Sequence, residues 1–291
     1  MDDRQLKCAA QHFGLWAVQP RWMDQAVSAY NAGTLPKVAA DGFGDALYVV
    51  DHDGVATVDI VGQILKGDSS FGGTSSVRTR RAVREAAADP DVRGIMLNID
   101  SPGGSVAGIQ AAGDAIFEAR KLKPVHAHGE DLVASAAYWF ASQADRISAS
   151  PMTEVGSIGT VAMVADSSKL HEDAGIKVHI VSTGEMKGAF APGTEVTDDQ
   201  LQWLQERVEA INEFFLIAIK RGRGMSMADV RKLATGEDWL AAAALERGLI
   251  DSVETQDEAR DNLRREIKRR GSARASRSGR TRRAIKLAEL G

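Results

Sequence analysis

Four short stretches of this chain carry residue types that could act together on an amide bond. They are Ser101-Pro102-Gly103-Gly104, Ser135 in Ala134-Ser135-Ala136-Ala137-Tyr138-Trp139, Gly156-Ser157-Ile158-Gly159, and Lys187 in Gly184-Glu185-Met186-Lys187-Gly188. A serine hydroxyl is a poor nucleophile until a base takes its proton. The oxyanion formed when it attacks an amide needs preorganised N–H donors, which an exposed Gly103-Gly104 backbone can supply. A lysine at its reference pKa of ~10.4 is protonated at neutral pH, and it becomes a base only where burial disfavours the charged form. Met186, Ala189, Phe190 and Pro192 are apolar and are expected to desolvate Lys187. Glu185 must then face solvent, because a carboxylate against the amine would hold its proton on. Taken singly, each feature has a plainer reading: a turn, a helix cap, a surface lysine.

The elements that must position these groups can be read from the pattern. Residues 94–99 form a short apolar run suited to a strand buried on both faces. Pro102 and the two glycines stop it. Apolar residues then recur at helical spacing over residues 106–120, and residues 124–128 restore a strand. Strand–helix–strand of this length is a parallel crossover unit, and such sheets place their sites at the carboxyl ends of strands. Gly103-Gly104 and Ser135 both fall at such ends, and a helix over residues 135–144 would add its positive end to the same spot. Upstream, Asp51-His52-Asp53-Gly54 predicts a hairpin turn between strands at 48–50 and 55–60, followed by a helix over residues 76–88 that stops at Asp89-Pro90. Downstream, strands are expected at 146–149, 156–164, 178–182 and 249–253, and helices at 167–174, 226–233 and 241–247. Gly248 is placed to cap the last of these helices. Thr197 should cap a long helix reaching Lys220, with Leu201, Leu204, Val208, Ile211, Phe215 and Ile219 along one face as a core seam or subunit interface. Residues 62–74 read as a loop rich in glycine and serine, and residues 20–32 as an amphipathic helix.

The four motifs, in this order, resemble the signal peptide peptidase A family of Ser/Lys peptidases. The resemblance spans roughly residues 55–253 and implies Ser135 as nucleophile, with Lys187, about fifty positions later in a G-x-x-K-x-x-x-x-P context, as general base. It also implies Gly103 and Gly104 as the oxyanion hole and Ser157 as the residue that orients the lysine. Cellular members usually carry glycines after the nucleophile, whereas Ala136-Ala137 stand here. The implied fold is α/β, a ClpP/crotonase-like spiral of repeated β-α units. A homo-oligomeric ring or dome is implied as well, in which the serine and lysine can come from neighbouring subunits. The implied substrate is a peptide or unfolded protein. Members with an arm of this kind look like phage or prophage capsid-assembly proteases acting on a scaffold protein; a cytoplasmic peptidase that degrades signal peptides is the alternative within the class. A crotonase-like acyl-CoA enzyme and a non-catalytic assembly protein are the rivals outside it.

The chain has 291 residues, 44% of them apolar and only seven prolines, enough for a large core. The expected organisation is an N-terminal arm (1–45), a peptidase domain (46–255) and a tail (256–291) that is helical and then disordered. One cysteine, Cys8, excludes an internal disulfide and is compatible with a reducing compartment. The polar start and apolar runs such as Phe214–Ile219, all far below the ~20 residues needed to span a bilayer, predict no membrane anchor and a cytoplasmic or procapsid location. No cofactor and no metal is expected. His126 and His128 share a strand face but lack a third ligand in a zinc pattern. Between Arg264 and Ala284 lie ten Lys/Arg and one acidic residue, so the formal net charge of −4 hides an acidic body and a basic tail. Residues 271–281 are rich in Ser, Gly and Arg and are expected to be disordered. Clustered arginines could contact nucleic acid or an acidic partner without sequence recognition.

Overall fold

The computed structural model describes residues 15–18, 46–67 and 73–288, with side chains described for residues 46–67 and 73–272. The expected helix at 20–32 and the middle of the 62–74 loop lie outside the described residues. In chain order the strands are β1 (Leu15–Val18), β2 (Val49–Val50), β3 (Val55–Val61), β4 (Ile64–Leu65), β5 (Thr74–Ser75), β6 (Gly94–Ser101), β7 (Gly103–Ser105), β8 (Val125–Ala134), β9 (Arg146–Ala149), β10 (Glu154–Gly156), β11 (Val161–Ala162), β12 (Asp238–Leu240) and β13 (Ser252–Val253). The helices are α1 (Ser76–Ala88), α2 (Ile109–Ala119), α3 (Ala136–Ser142), α4 (Ser168–Asp173), α5 (Asp198–Arg223), α6 (Met227–Leu233), α7 (Ala241–Glu246) and α8 (Gln256–Ala288).

The larger sheet runs β12-β10-β8-β6-β3-β2, with β9 added to β8 and β13 to β9. Strands β3, β6, β8 and β10 are mutually parallel, and α1 and α2 make the crossovers between the first three. This is the mixed α/β arrangement of repeated β-α units that the motifs required. Strand β8 branches: residues 126–129 pair with β9, and residues 132–134 pair with β10. A register shift against β6 between Ile99 and Ser101 accommodates the branch. The Thr153 hydroxyl sits at the branch, its Oγ1 2.7 Å from the Glu130 carbonyl and 3.1 Å from the Gly129 carbonyl, which also accepts from Ser150 N–H at 2.9 Å. A smaller sheet, β11-β1-β7-β4-β5, stands beside it.

Burial explains the crossovers. Ala82, Val83 and Ala86 of α1 turn an apolar stripe to β3 and β6, whose core residues are almost wholly sequestered, while α2, with Ile109, Ala112 and Ile116 buried, packs on α1 and α3. Every residue of α3 is buried, and Trp139 stacks on Phe215 of α5 with ring centroids 4.9 Å apart. Tyr138 Oη donates to the Leu249 carbonyl at 2.9 Å, so its polar tip is satisfied inside the core. Ala259, Leu263 and Ile267 of α8 form a second cluster with Val55 and Met96. The helix seats closely because Gly94 has no side chain: a Cβ there would meet Ile267 Cδ1 at 2.7 Å.

Three expectations are corrected. Residues 178–182 form no strand; Val181 is fully exposed, and β-branched residues become a strand only when another edge is present to take their backbone bonds. The expected strand at 156–164 is split, with β10 ending at Gly156 and β11 holding only two residues. The tail is helical through Ala288 rather than helical and then disordered. Its packed first half supplies the nucleus, and alanine and arginine propagate a helix well once it is begun.

Candidate active site

Ser135 is the single residue between the end of β8 and the start of α3, and it is 1% exposed. Its backbone has φ 55° and ψ −118°. A side chain is disfavoured there, and such strain persists only where the surroundings over-determine it. Both ends of the residue are fixed: its N–H donates to the Gly156 carbonyl at 2.8 Å, and its carbonyl accepts from Trp139 N–H at 2.9 Å. Its Oγ lies 3.5 Å from the Gly159 carbonyl, too long to hold the hydroxyl in place.

The Gly156–Gly159 turn therefore wraps the serine. Ser157 is also buried and also at positive φ, 50°, and its N–H donates to the Glu237 carbonyl at 2.7 Å. Behind it, β12 pairs with β10, so Trp239 stands opposite Val155. Among the described residues, three that are not glycine have positive φ: Ser135, Ser157 and Phe190. All three lie in the motifs from which the chemistry was read.

The glycine pair occupies β7, which packs against α3. Gly103 has φ 90°, and a Cβ on Gly104 would run into the backbone of Ile64 in β4, its register partner. Only glycine fits at either position. Ser101 holds the turn: its Oγ donates to the Gly62 carbonyl at 2.6 Å and accepts from Gly103 N–H at 3.2 Å. That bond engages the Gly103 donor in the present arrangement. Ser101 and the Glu237 carbonyl that braces Ser157 were not singled out from sequence; the SPGG motif contained the first, but the second comes from eighty residues downstream and left no local signal.

Lys187 is not brought to this cluster by its own chain as a buried amine. It sits in a single 3₁₀ turn, Glu185–Gly188, and is exposed. Among the described residues its Nζ has no hydrogen-bond or ion-pair partner. The expected desolvation by Met186, Ala189, Phe190 and Pro192 is corrected: Pro192 is itself exposed, and Phe190 turns to Trp203 at a centroid distance of 6.3 Å. Glu185 is exposed, as its adjacency to the amine required. The whole stretch from Gly159 to Phe214 contains no buried residue, yet it carries Met163, Leu170, Ile176, Ile180, Val181, Leu201 and Phe214 in the open.

The buried histidines belong elsewhere. His126 Nε2 lies 3.0 Å from Glu266 Oε2, tying α8 to β8, and His128 Nδ1 lies 2.9 Å from Ser148 Oγ. Burial, the largest influence, holds both imidazoles below their ordinary value. Asp100, at the end of β6, is pushed up by burial and then by Asp131 and Glu130. No group of three His, Cys, Asp or Glu side chains among the described residues could hold a metal ion. No helix among them is long and apolar enough to cross a membrane.

The profile of "Peptidase family S49" matches residues 118–269, a span that contains Ser135, Ser157 and Lys187. The chain is 31% identical over 208 residues to Protease 4 of Haemophilus influenzae, covering 70% of this chain and 33% of that protein. A putative signal peptide peptidase SppA of Enterococcus faecium is 28% identical, covering 64% of this chain and 54% of that one. Capsid assembly protease C of Escherichia phage lambda is 28% identical, covering 71% and 48%. The chain thus spans about half or less of the length of these relatives. Among solved structures, a ClpP1 mutant from Listeria monocytogenes is 17% identical with a TM-score of 0.41, covering 70% of this chain and 94% of that one. The resemblance to the signal peptide peptidase A family is met by relatives of that name, and the profile covers more than half of the residues. The chain belongs to peptidase family S49.

Proposed function

We propose that the chain is a serine peptidase in which Ser135 is the nucleophile and Lys187, reaching in from a neighbouring copy, is the general base. The observation that carries the reading is the strained backbone of Ser135, held at a strand end beside a glycine strand that tolerates no side chain. The neutral Lys187 amine takes the Ser135 proton as Oγ attacks the substrate carbonyl. Backbone N–H groups of Gly103 and Gly104 receive the developing oxyanion, Gly103 exchanging its bond to Ser101 for the stronger charged one. The lysine then protonates the leaving amine, and later deprotonates the water that hydrolyses the acyl-enzyme. Ser157, one position beyond the carbonyl that anchors Ser135, orients the amine.

The exposed surface around Lys187 supports a partner copy. A stretch with seven large apolar side chains in the open and no buried residue is a face made to be covered. Covering it would supply the desolvation that Lys187 lacks alone. The substrate we propose is an extended or unfolded polypeptide, and the role is protein processing during capsid assembly. The latter follows the names of two phage relatives, lambda's capsid assembly protease C and the head-tail preconnector protein GP5 of Enterobacteria phage P21, which match 71% and 69% of this chain.

The test uses wild type, Ser135→Ala and Lys187→Ala with an unfolded protein substrate and a serine-directed acylating reagent. Hydrolysis is expected to be lost in both variants, labelling to be lost in the serine variant, and mixing the two variants to restore partial activity. A serine variant that still hydrolyses the substrate refutes the nucleophile. Failure of the mixture to recover under subunit exchange refutes the shared dyad. Faster trimming of a scaffold protein than of a free signal peptide is the outcome expected for the proposed role.

A further inference from the structure

The smaller sheet has an unusual construction. Its strand β1 comes from the N-terminal arm and lies antiparallel to two strands that do not pair with each other. On one side the register is Trp16 with Ser105, Ala17 with Gly104 and Val18 with Gly103. On the other it is Leu15 with Ala162 and Trp16 with Val161. Take β1 away and two backbone edges face each other across two strand spacings, roughly 9–10 Å, a slot one extended chain wide. Its first wall is the glycine pair; its second begins two residues after Gly159, whose carbonyl lies 3.5 Å from Ser135 Oγ. The slot therefore runs past the nucleophile between the two motifs that surround it.

An open slot with unpaired N–H and C=O groups on both sides accepts a polypeptide through main-chain bonds and is tolerant of its sequence. We propose that Leu15–Val18 is a built-in occupant of the peptide slot, so that the chain's own N-terminal arm competes with substrate. The proposal rests on the assignment of Ser135 given above. It adds that the enzyme as folded is closed to substrate until β1 withdraws. The arm is tethered, so its effective concentration at the slot is on the order of millimolar, well above that of a dilute protein substrate.

The experiment uses the full chain. Ala17→Pro removes a ladder donor from a strand paired on both sides, a position that proline does not tolerate. It is expected to lower KM for an unfolded protein substrate by at least about tenfold, leaving kcat unchanged. In a non-hydrolysing background, a fluorescent peptide of residues 13–20 is expected to bind Ser135→Ala,Ala17→Pro at least about tenfold more tightly than Ser135→Ala alone. A second variant needs no disruption of the strand: Leu15→Cys with Ala162→Cys, register partners, in a Cys8→Ser background. Oxidation is expected to abolish hydrolysis and reduction to restore it. Equal peptide binding to both serine variants, or an oxidised cross-linked chain as active as the reduced one, overturns the proposal. If no chain hydrolyses substrate, the assignment of Ser135 fails, while the peptide-binding comparison still decides the occupant.

Discussion

The Gly104→Ala substitution isolates the role of the glycine strand. A Cβ at this position would collide with the carbonyl oxygen, carbonyl carbon and amide nitrogen of Ile64, all of them backbone and none free to rotate away. The strands β4 and β7 must therefore move apart, and an overpacked core of this kind costs about 1–3 kcal/mol. The movement also displaces the Gly104 N–H. Loss of one preorganised oxyanion donor lowers kcat by about 10²–10³, equivalent to about 2.7–4 kcal/mol of transition-state stabilisation. The control is Gly159→Ala: this glycine adjoins Ser135, but an added Cβ meets nothing within 4 Å and its φ is not in the left-handed region. Urea midpoints measure stability in both variants, while steady-state hydrolysis and the rate of Ser135 acylation measure the site. Gly104→Ala should lose both, with acylation slowed in proportion to hydrolysis, and Gly159→Ala should lose little of either. Full activity in Gly104→Ala would refute the oxyanion role proposed for Gly104. Equal damage from the two substitutions would refute the steric argument.

Three other outcomes are expected. Leu263→Ala, at a fully buried position of α8 beside Val55 and Met96, should cost about 2–5 kcal/mol in urea unfolding; a loss below about 1 kcal/mol would mean that α8 is not part of the cooperative unit. His126 and His128 are held below the ordinary imidazole value of 6.5 by burial, so the unfolded chain takes up protons that the folded sites refuse. Stability is then full above that value and is lost as pH falls through the lowered ones; His126→Gln,His128→Gln should flatten the urea midpoint between about pH 7.5 and 5.5. The flattening is opposed at His126 by Glu266, and the loss below about pH 4.5, where carboxylates such as Glu266 protonate, should remain. Thr197→Ala removes the side-chain acceptor of Gln200 N–H at the start of α5 and should cost about 1 kcal/mol, read as faster amide exchange in the first turn of that helix.

Much of the framework was legible because its signals are local. The helix at 76–88 and the strand at 146–149 were bounded correctly from periodicity and from Pro90 and Pro151. Thr197 was readable as a cap because capping needs only its own side chain and the next turn. Strand β1 was missed because Leu15–Val18 is four apolar residues in a polar arm, and its strand character comes from edges ninety and nearly a hundred and fifty residues away. Residues 178–182 failed for the opposite reason: the local preference is there, and the partner edge is not. At the site, the glycines and Ser135 could be placed because a strand end fixes them. The environment of Lys187 could not, because the apolar residues around it in sequence do not fold back on it.

An amine left on an outer limb makes abundance the on-signal. On the reading proposed above, a newly made chain that meets no sibling has a nucleophile without a base, so sparse enzyme stays idle. In the dilute regime total hydrolysis should then rise with the square or a higher power of chain concentration, and specific activity at least in proportion to it: crowding chains into one compartment starts proteolysis, and dispersing them stops it.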